Sequence, residues 1–386
     1  MRTKKAQSNF RYGATLDAAV DPALLAKSAE IVLSAYPNFR TKIVKGFFWH
    51  KFRANDAPVV AKEDDRPPLS PFRNEETNGY PFRLSYKGNE IVLEIFHAVT
   101  DGNVGALFLA DLLTVYAALS DGTPALPPKR ELTIEDAFRR NVRAHDRHKI
   151  SLSDYNGESV VALGKKGKYA PHPTLLTEHV DIDAIKRKAA ATDSTVTEYI
   201  AAAYICAILA EEAAPLKKSL ALFIPIDLRR FFPSNTLQNF VCFERIIIEK
   251  GSTDFSFDAI LPHVKKQFRE KITPERMQDH IDDVVKGLGS PILTAVPLFI
   301  KAFFFKVVKK LLNKVRQTAI LSNVGVFRLP EVAALHVKDV RFYLNIGPNA
   351  PVNVAMLSYN GKCNVTVTFG LKESAIPARF FALLRD

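Results

Sequence analysis

His97, Asp101 and Gly102 stand in the run Phe96-His97-Ala98-Val99-Thr100-Asp101-Gly102. An imidazole titrates near neutrality and can take a proton from a hydroxyl or an amine at working pH, so the chemistry open to His97 is general-base catalysis. A carboxylate four residues on can carry charge at the site or order the turn, and Gly102 would relieve a strained backbone there. A core histidine donating to a backbone carbonyl satisfies the same spacing, so the pattern alone leaves both readings open. With 9 His and 17 Gly in 386 residues, a chance His-x-x-x-Asp-Gly arises with a probability of about 0.02 if Asp is roughly one residue in twenty.

Other reactive residues have less pattern behind them. Cys206, Cys242 and Cys363 are far apart in apolar or strand-like surroundings, without a CxxC. That predicts buried free thiols in a reducing compartment, not a disulfide framework or a nucleophile. His145 and His148 lie three apart on a predicted helix, but Arg143 and Arg147 beside them point to a solvated face, and no metal is assigned.

The element that must present His97 is a strand. Ile91-Val92-Leu93-Glu94-Ile95-Phe96 is a near-continuous apolar run, expected to be buried. It is entered by a hairpin turn at Lys87-Gly88-Asn89 from the strand Phe82-Arg83-Leu84-Ser85-Tyr86. A helix is predicted from Asn103, since Val104, Leu107, Phe108, Leu112, Val115 and Leu119 follow the 3.6 period. Active-site side chains commonly sit at such strand ends. Upstream, Asp21 and Pro22 read as the N-cap and first residue of a helix that ends near Tyr36-Pro37, and Phe47-Phe48-Trp49 has the aromatic character of a short strand.

Residues 1–125 form an N-terminal unit, 126–175 a polar crossover linker holding one helix, and 176–386 a C-terminal unit. The last is expected to hold helices at 183–191 and, capped by Ser194, up to 209. Strands follow at 220–226, 240–248, 319–321, 340–346, 354–359 and 364–369, with a closing helix at 377–384. The fold class is α/β, an α+β sandwich.

The net charge of +12 fits an anionic partner (nucleic acid, an anionic membrane surface or a phosphate-bearing substrate) and fits equally a solvated basic surface that keeps the protein soluble. No zinc-finger spacing, RNP-like segment or dense basic helix with exposed aromatics is present, so nucleic acid is not expected. No apolar core follows the basic Met1-Arg2-Thr3-Lys4-Lys5, so no secretory leader is expected and the location is read as cytoplasmic. The most apolar stretch, 291–312, is broken by Lys301, Lys306, Lys309 and Lys310, against a spanning helix. Within 298–315, Phe299 and Phe303 project among Lys306, Lys310 and Lys314, a mixture suited to peripheral membrane contact or to gating an acyl-chain entrance. An ordinary surface helix with two aromatics covered by another segment is the better-supported reading of the same residues.

The chain resembles the coenzyme A-dependent acyltransferase superfamily: chloramphenicol acetyltransferase, plant acyltransferases, peptide-synthetase condensation domains and alcohol acetyltransferase-like proteins, the last most of all. The resemblance spans nearly the whole chain. It rests on Val20-Asp21-Pro22, Tyr36-Pro37-Asn38-Phe39-Arg40, Gly46-Phe47-Phe48-Trp49 and the His97 run. Later blocks are Ile224-Pro225-Ile226-Asp227-Leu228-Arg229-Arg230-Phe231-Phe232-Pro233-Ser234, Leu237-Gln238-Asn239-Phe240 and Ser322-Asn323-Val324-Gly325.

The resemblance implies two chloramphenicol-acetyltransferase-like halves packed as a pseudo-dimer around a channel. His97 would be the base midway along it, moving an acyl group from acyl-CoA, a co-substrate, to a hydroxyl or amine, with no bound cofactor. Asp101 would hold the turn by pairing with an arginine, for which Phe39-Arg40-Thr41 supplies Arg40 as the counterpart. Ser322 and Asn323 become candidates for the oxyanion donor, although Asn323 and Gly325 would equally form a simple turn. Asp227, Arg229 and Asn239 match their blocks, with a structural role at the domain interface at least as well supported.

Phe96 stands where condensation domains carry a first histidine, which favours free acyl-CoA over a carrier-protein thioester. The plant family's Asp-Phe-Gly-Trp-Gly is absent. The two other readings are a carrier-dependent condensation catalyst and a degenerate binding or scaffold protein.

Overall fold

A computed structural model describes residues 8–143, 160–163, 169–288, 295–301, 317–347 and 350–385. His145, His148, residues 144–159 and 164–168 of the linker, and most of the 298–315 stretch lie outside them.

Strands β1 (Asn9–Leu16), β4 (Ala61–Glu63), β5 (Phe82–Lys87), β6 (Glu90–Phe96) and β11 (Val337–Leu344) form a five-stranded sheet in the order β11-β1-β6-β5-β4. A second sheet takes β7 (Tyr169–Asp181), β8 (Leu220–Asp227), β9 (Val241–Ile248), β10 (Ala319–Val326), β12 (Val352–Tyr359) and β13 (Lys362–Leu371), in the order β7-β13-β12-β10-β8-β9. Strands β2 (Thr41–Lys45) and β3 (His50–Ala54) form a hairpin apart from both. The principal helices are α1 (Pro22–Leu33), α2 (Gly102–Ser120), α3 (Ile182–Ala191), α4 (Val196–Leu209), α5 (Phe257–Lys271), α6 (Pro274–Leu288) and α7 (Ile376–Arg385). The architecture is the expected α/β one, with two sheets each carrying helices.

Each sheet has its own core. The first is built from Phe10 and Tyr12 of β1, Leu93 of β6, Leu25 and Val32 of α1, and Phe108 and Leu112 of α2. Helix α2 is apolar on most sides because α1 and the sheet enclose it. That enclosure explains why the helix is long and apolar enough to cross a bilayer and yet lies mostly inside the protein. The second core centres on α4, buried along nearly its whole length between the sheet, α5 and α7.

The halves meet on β12. Val352, Val354 and Met356 face the second core, whereas Ala355, Leu357 and Tyr359 belong to the first. A strand covered on both faces reads as a near-continuous apolar run, and Val352–Tyr359 is apolar apart from Asn353 and Ser358.

Three expectations change here. First, β11 crosses over: it pairs with β1, Tyr12 opposite Phe342, so both edges of β1 are covered. A boundary at 176 therefore divides the chain but not the sheets. Second, Phe47-Phe48-Trp49 is the turn between β2 and β3, closed by the Gly46 N–H donating to Trp49 O at 3.0 Å, not a strand. Third, Thr195 and not Ser194 caps α4. Thr195 Oγ1 accepts from Glu198 N at 3.2 Å and the Glu198 carboxylate accepts from Thr195 N at 2.7 Å, a reciprocal box. Ser194 instead donates to Ala189 O at the end of α3.

Candidate active site

Strand β6 ends on Phe96, and the chain turns through His97 and Ala98 before α2 begins. The turn is held from both halves. His97 N–H donates to Ser8 O at 2.8 Å, and the Asn239 amide donates to His97 O at 2.5 Å. The imidazole is half-buried and sits edge-on to Phe10, with ring centroids 5.1 Å apart. Its backbone is therefore fixed, while no hydrogen bond from a described residue occupies its ring.

Asp101 is 1% exposed and caps α2, accepting from Val104 N at 3.2 Å. Its other oxygen accepts from Arg229 Nη1 at 2.8 Å and from Phe240 N at 3.0 Å. Arg229 also donates to Asp227 at 3.0 Å and to the carbonyls of Thr236 and Gln238, each at 2.9 Å. Burial opposes the Arg229 charge, but Asp101 and Asp227 outweigh it and raise its pKa above the ordinary guanidinium value. Asp227 in turn accepts from the Asn103 amide at 2.8 Å, back on α2. A segment of the second half, 227–240, thus clamps the His97 turn of the first.

Arg40 does not take the role expected of it. It lies 3.4 Å from Asp56 at the surface, with 43% of its side chain exposed. The chain bends away after Phe39, which is buried in the first core, so Arg40 points outward at the root of the β2–β3 hairpin. The arginine that holds Asp101 is Arg229, a residue whose block marks it in the sequence but whose partner does not. From the block that includes Arg40 it is Asn38 that reaches the turn, donating to Leu237 O at 3.0 Å and to Val99 O at 3.4 Å. Tyr12 adds a buried bond to Gly102 O at 2.5 Å; burial first, and then the nearby Asp101 charge, push its phenol pKa well up. Nothing in the local sequence pairs Tyr12 with a turn 90 residues away.

Gly102 needs no left-handed backbone, contrary to the sequence reading; it is the first residue of α2 and is not among the positive-φ positions. A Cβ there would meet Phe342 Cζ at 3.5 Å and Tyr12 Oη at 3.7 Å, ordinary contacts. At Gly105 a Cβ would lie 2.8 Å from Phe10 Cε2, the ring that abuts His97. Gly105→Ala is expected to cost about 1–3 kcal/mol by overpacking. Gly102→Ala should stay within about 1 kcal/mol, the usual scale of a glycine replacement that fits its backbone. Urea denaturation of the two variants checks the contrast, and equal costs would mean that Phe10 is free to yield.

Ser322 and Asn323 separate by face. In the parallel register Ser322 lies beside Ala355 and Asn323 beside Met356. Ala355 belongs to the first core and Met356 to the second. Successive side chains alternate across a strand, so Ser322 and Val324 face the first half; Val324 Cγ2 comes within 3.8 Å of a Cβ placed on Gly102. Asn323 faces α4, where its amide donates to Thr197 at 3.0 Å and its oxygen accepts from Gly325 N at 2.9 Å. Gly325, at φ +86°, makes the bend that this second bond closes.

The three cysteines are buried thiols, and burial pushes those of Cys206 and Cys242 up to about 12. Among the described residues no group of three or more His, Cys, Asp or Glu side chains is placed to hold a metal ion.

No family model and no curated protein sequence matches the chain. Solved structures match along its whole length. The first condensation domain of the CDA synthetase is similar with a TM-score of 0.65 and 14% identity, covering 99% of this chain and 91% of that one. Trichothecene 15-O-acetyltransferase TRI3 from Fusarium sporotrichioides aligns with a TM-score of 0.60 and 12% identity, over 98% and 90% of the two chains. A variant of the starter condensation domain of rhizomide synthetase, in complex with C8-CoA, gives 0.64 and 12%, over 98% and 91%. At such identities the shared property is the fold, that of condensation domains and acetyltransferases.

Proposed function

We propose that the protein is an acyltransferase in which His97 is the general base, moving an acyl group from acyl-CoA to a hydroxyl or amine of a small or lipid-like acceptor. The observation that carries this reading is the placement of His97: a half-buried imidazole, unoccupied by described hydrogen-bond partners, on a strand-end turn that the other half of the molecule clamps. Preorganisation of this kind suits a base that must meet two substrates in one geometry.

In the proposed reaction the imidazole removes the acceptor proton while the acceptor oxygen or nitrogen attacks the thioester carbonyl. The tetrahedral intermediate collapses with cleavage of the C–S bond, and the imidazolium returns the proton to the thiolate, leaving free CoA and the ester or amide. Neutral, buried cysteines support direct attack without an acyl-enzyme. For the oxyanion donor the sheet geometry favours Ser322, on the face toward Gly102, over Asn323, which is bonded to Thr197. Ser322→Ala should lower kcat by about 10²–10³-fold if its hydroxyl serves the developing charge. A change in KM alone would remove it from that role.

The test is thiol release from acetyl- and octanoyl-CoA in the presence of a panel of alcohols and amines. Acceptor-dependent release supports the reading. If only an acyl group carried on a phosphopantetheinyl carrier protein is transferred, the carrier-dependent reading replaces it. If neither donor reacts with any acceptor, the binding-protein reading does.

A further inference from the structure

The β2–β3 hairpin stands outside both sheets, and every residue from Phe47 to Ala54 is exposed. Its tip presents Phe47, Phe48 and Trp49, at 65%, 43% and 41% exposure, and Phe52 behind them is 51% exposed. Segment 295–301 fastens onto this tip. Leu298 N–H donates to Phe47 O at 2.8 Å, and Lys301 Nζ donates to Phe48 O at 3.1 Å while lying 3.4 Å from the centre of the Trp49 ring. That contact brings Phe299, 63% exposed, and Ile300, 45% exposed, to the same place. Soluble proteins seldom leave so many large apolar side chains together in water, and such clusters mark interaction sites.

The charge carried by the hairpin and by the segment fastened to it has one sign. No Asp or Glu occurs from Thr41 to Ala54, or from 295 to 301. Within the hairpin Lys42 lies directly opposite Arg53. Like charges facing across strands weaken a hairpin, and an anionic surface laid against them removes that cost. The aromatic side chains project from a tip and do not line a groove. This suits a fluid interface, where Trp and Phe insert at headgroup level beneath basic side chains, better than the shaped face of a protein partner.

We propose that the β2–β3 hairpin and segment 295–301 form a docking surface for an anionic lipid bilayer. The aromatic tip enters the boundary between headgroups and acyl chains, and Lys42, Lys45, Lys51 and Arg53 lie against lipid phosphates. The hairpin begins immediately after the segment that supports the His97 turn: Thr41 donates to Asn38 O at 2.8 Å, and Asn38 holds the Val99 and Leu237 carbonyls. The proposal stands on this surface alone and does not depend on the acyl-transfer reading.

The protein carries its own probe, because Trp49 is the one tryptophan of the chain. On titration with vesicles of equal parts phosphatidylglycerol and phosphatidylcholine, Trp49 emission should move to shorter wavelength. It should also be quenched by acyl-chain-brominated lipid, with the protein sedimenting with the vesicles. Pure phosphatidylcholine should bind much less, and added salt should weaken binding to the anionic vesicles. Lys42→Ala/Arg53→Ala should reduce partitioning by on the order of 25-fold, about five-fold for each cation near the surface. Phe47→Ser/Phe48→Ser should abolish the spectral shift with an unchanged circular dichroism spectrum. The proposal is overturned if Trp49 emission ignores anionic vesicles at low salt. It is equally overturned if both double variants partition like the wild type, or if the shift appears only with an acidic carrier protein.

Discussion

His97→Ala should lower acceptor-dependent thiol release from acyl-CoA by about 10²–10⁴-fold, the range expected when a positioned general base is removed. The imidazole packs edge-on against Phe10, but its hydrogen-bonded anchors are the backbone N–H and carbonyl, which alanine keeps. The variant is therefore expected to fold, with a thermal midpoint within a few degrees of the wild type. Imidazole added to the assay should restore part of the lost rate, because a small base can enter the space left by the side chain. Rescue of this kind separates a base from a packing residue: a core histidine would lower stability and activity together, and buffer imidazole would not help. Wild-type turnover in His97→Ala would end the assignment.

Arg229→Ala should destabilise the fold by about 3–5 kcal/mol, whereas Arg40→Ala should change it by no more than about 1 kcal/mol. The first substitution leaves the Asp101 carboxylate, 1% exposed, with only the backbone donors of Val104 and Phe240. It also strips the Thr236 and Gln238 carbonyls of their guanidinium donor. Arg229→Lys restores the charge but not the two-nitrogen fork that reaches Asp101, Asp227 and both carbonyls, so it should recover only part of the loss. Asp101→Ala removes the other side of the same pair and the cap of α2, and should fall in the Arg229→Ala range. Urea denaturation of the set decides the matter. A larger cost at Arg40 than at Arg229 would contradict the placement of the pair. Activity in Arg229→Ala should fall at least as far as the folded fraction, because the residue positions the His97 turn without touching the reacting atoms.

The contrast between these two arginines shows how far sequence reading reached. Local physics settled the elements around His97. The apolar run of 91–96 has to be buried, and the 3.6 period after Asp101 forces a helix to start where the strand has just ended. Gly88, at φ +57°, closes the hairpin that feeds β6. Each of these signals lies within about twenty residues of the motif, so the presenting strand, turn and helix were legible without any tertiary contact. The Thr195 cap shows the limit even of local reading: adjacent hydroxyls at Ser194 and Thr195 both suit a cap, and only the reciprocal bond to Glu198 selects one.

What the sequence by itself determined is the presence and local setting of the His97 motif, the α/β class and the ordered blocks that accompany it. Only the tertiary structure decided which residues hold the motif. The Asp101–Arg229 pair spans 128 positions, and several arginines offer the same charge to one buried carboxylate. The choice depends on where the chain turns after β8 and after Phe39, which side-chain chemistry alone does not encode. The same holds for Ser322 over Asn323. Neighbouring polar residues are interchangeable by type, and the register of β10 on β12 assigns one to the face near Gly102 and the other to α4. His97 thus owes its identity to local sequence and its fixed geometry to the opposite half of the molecule.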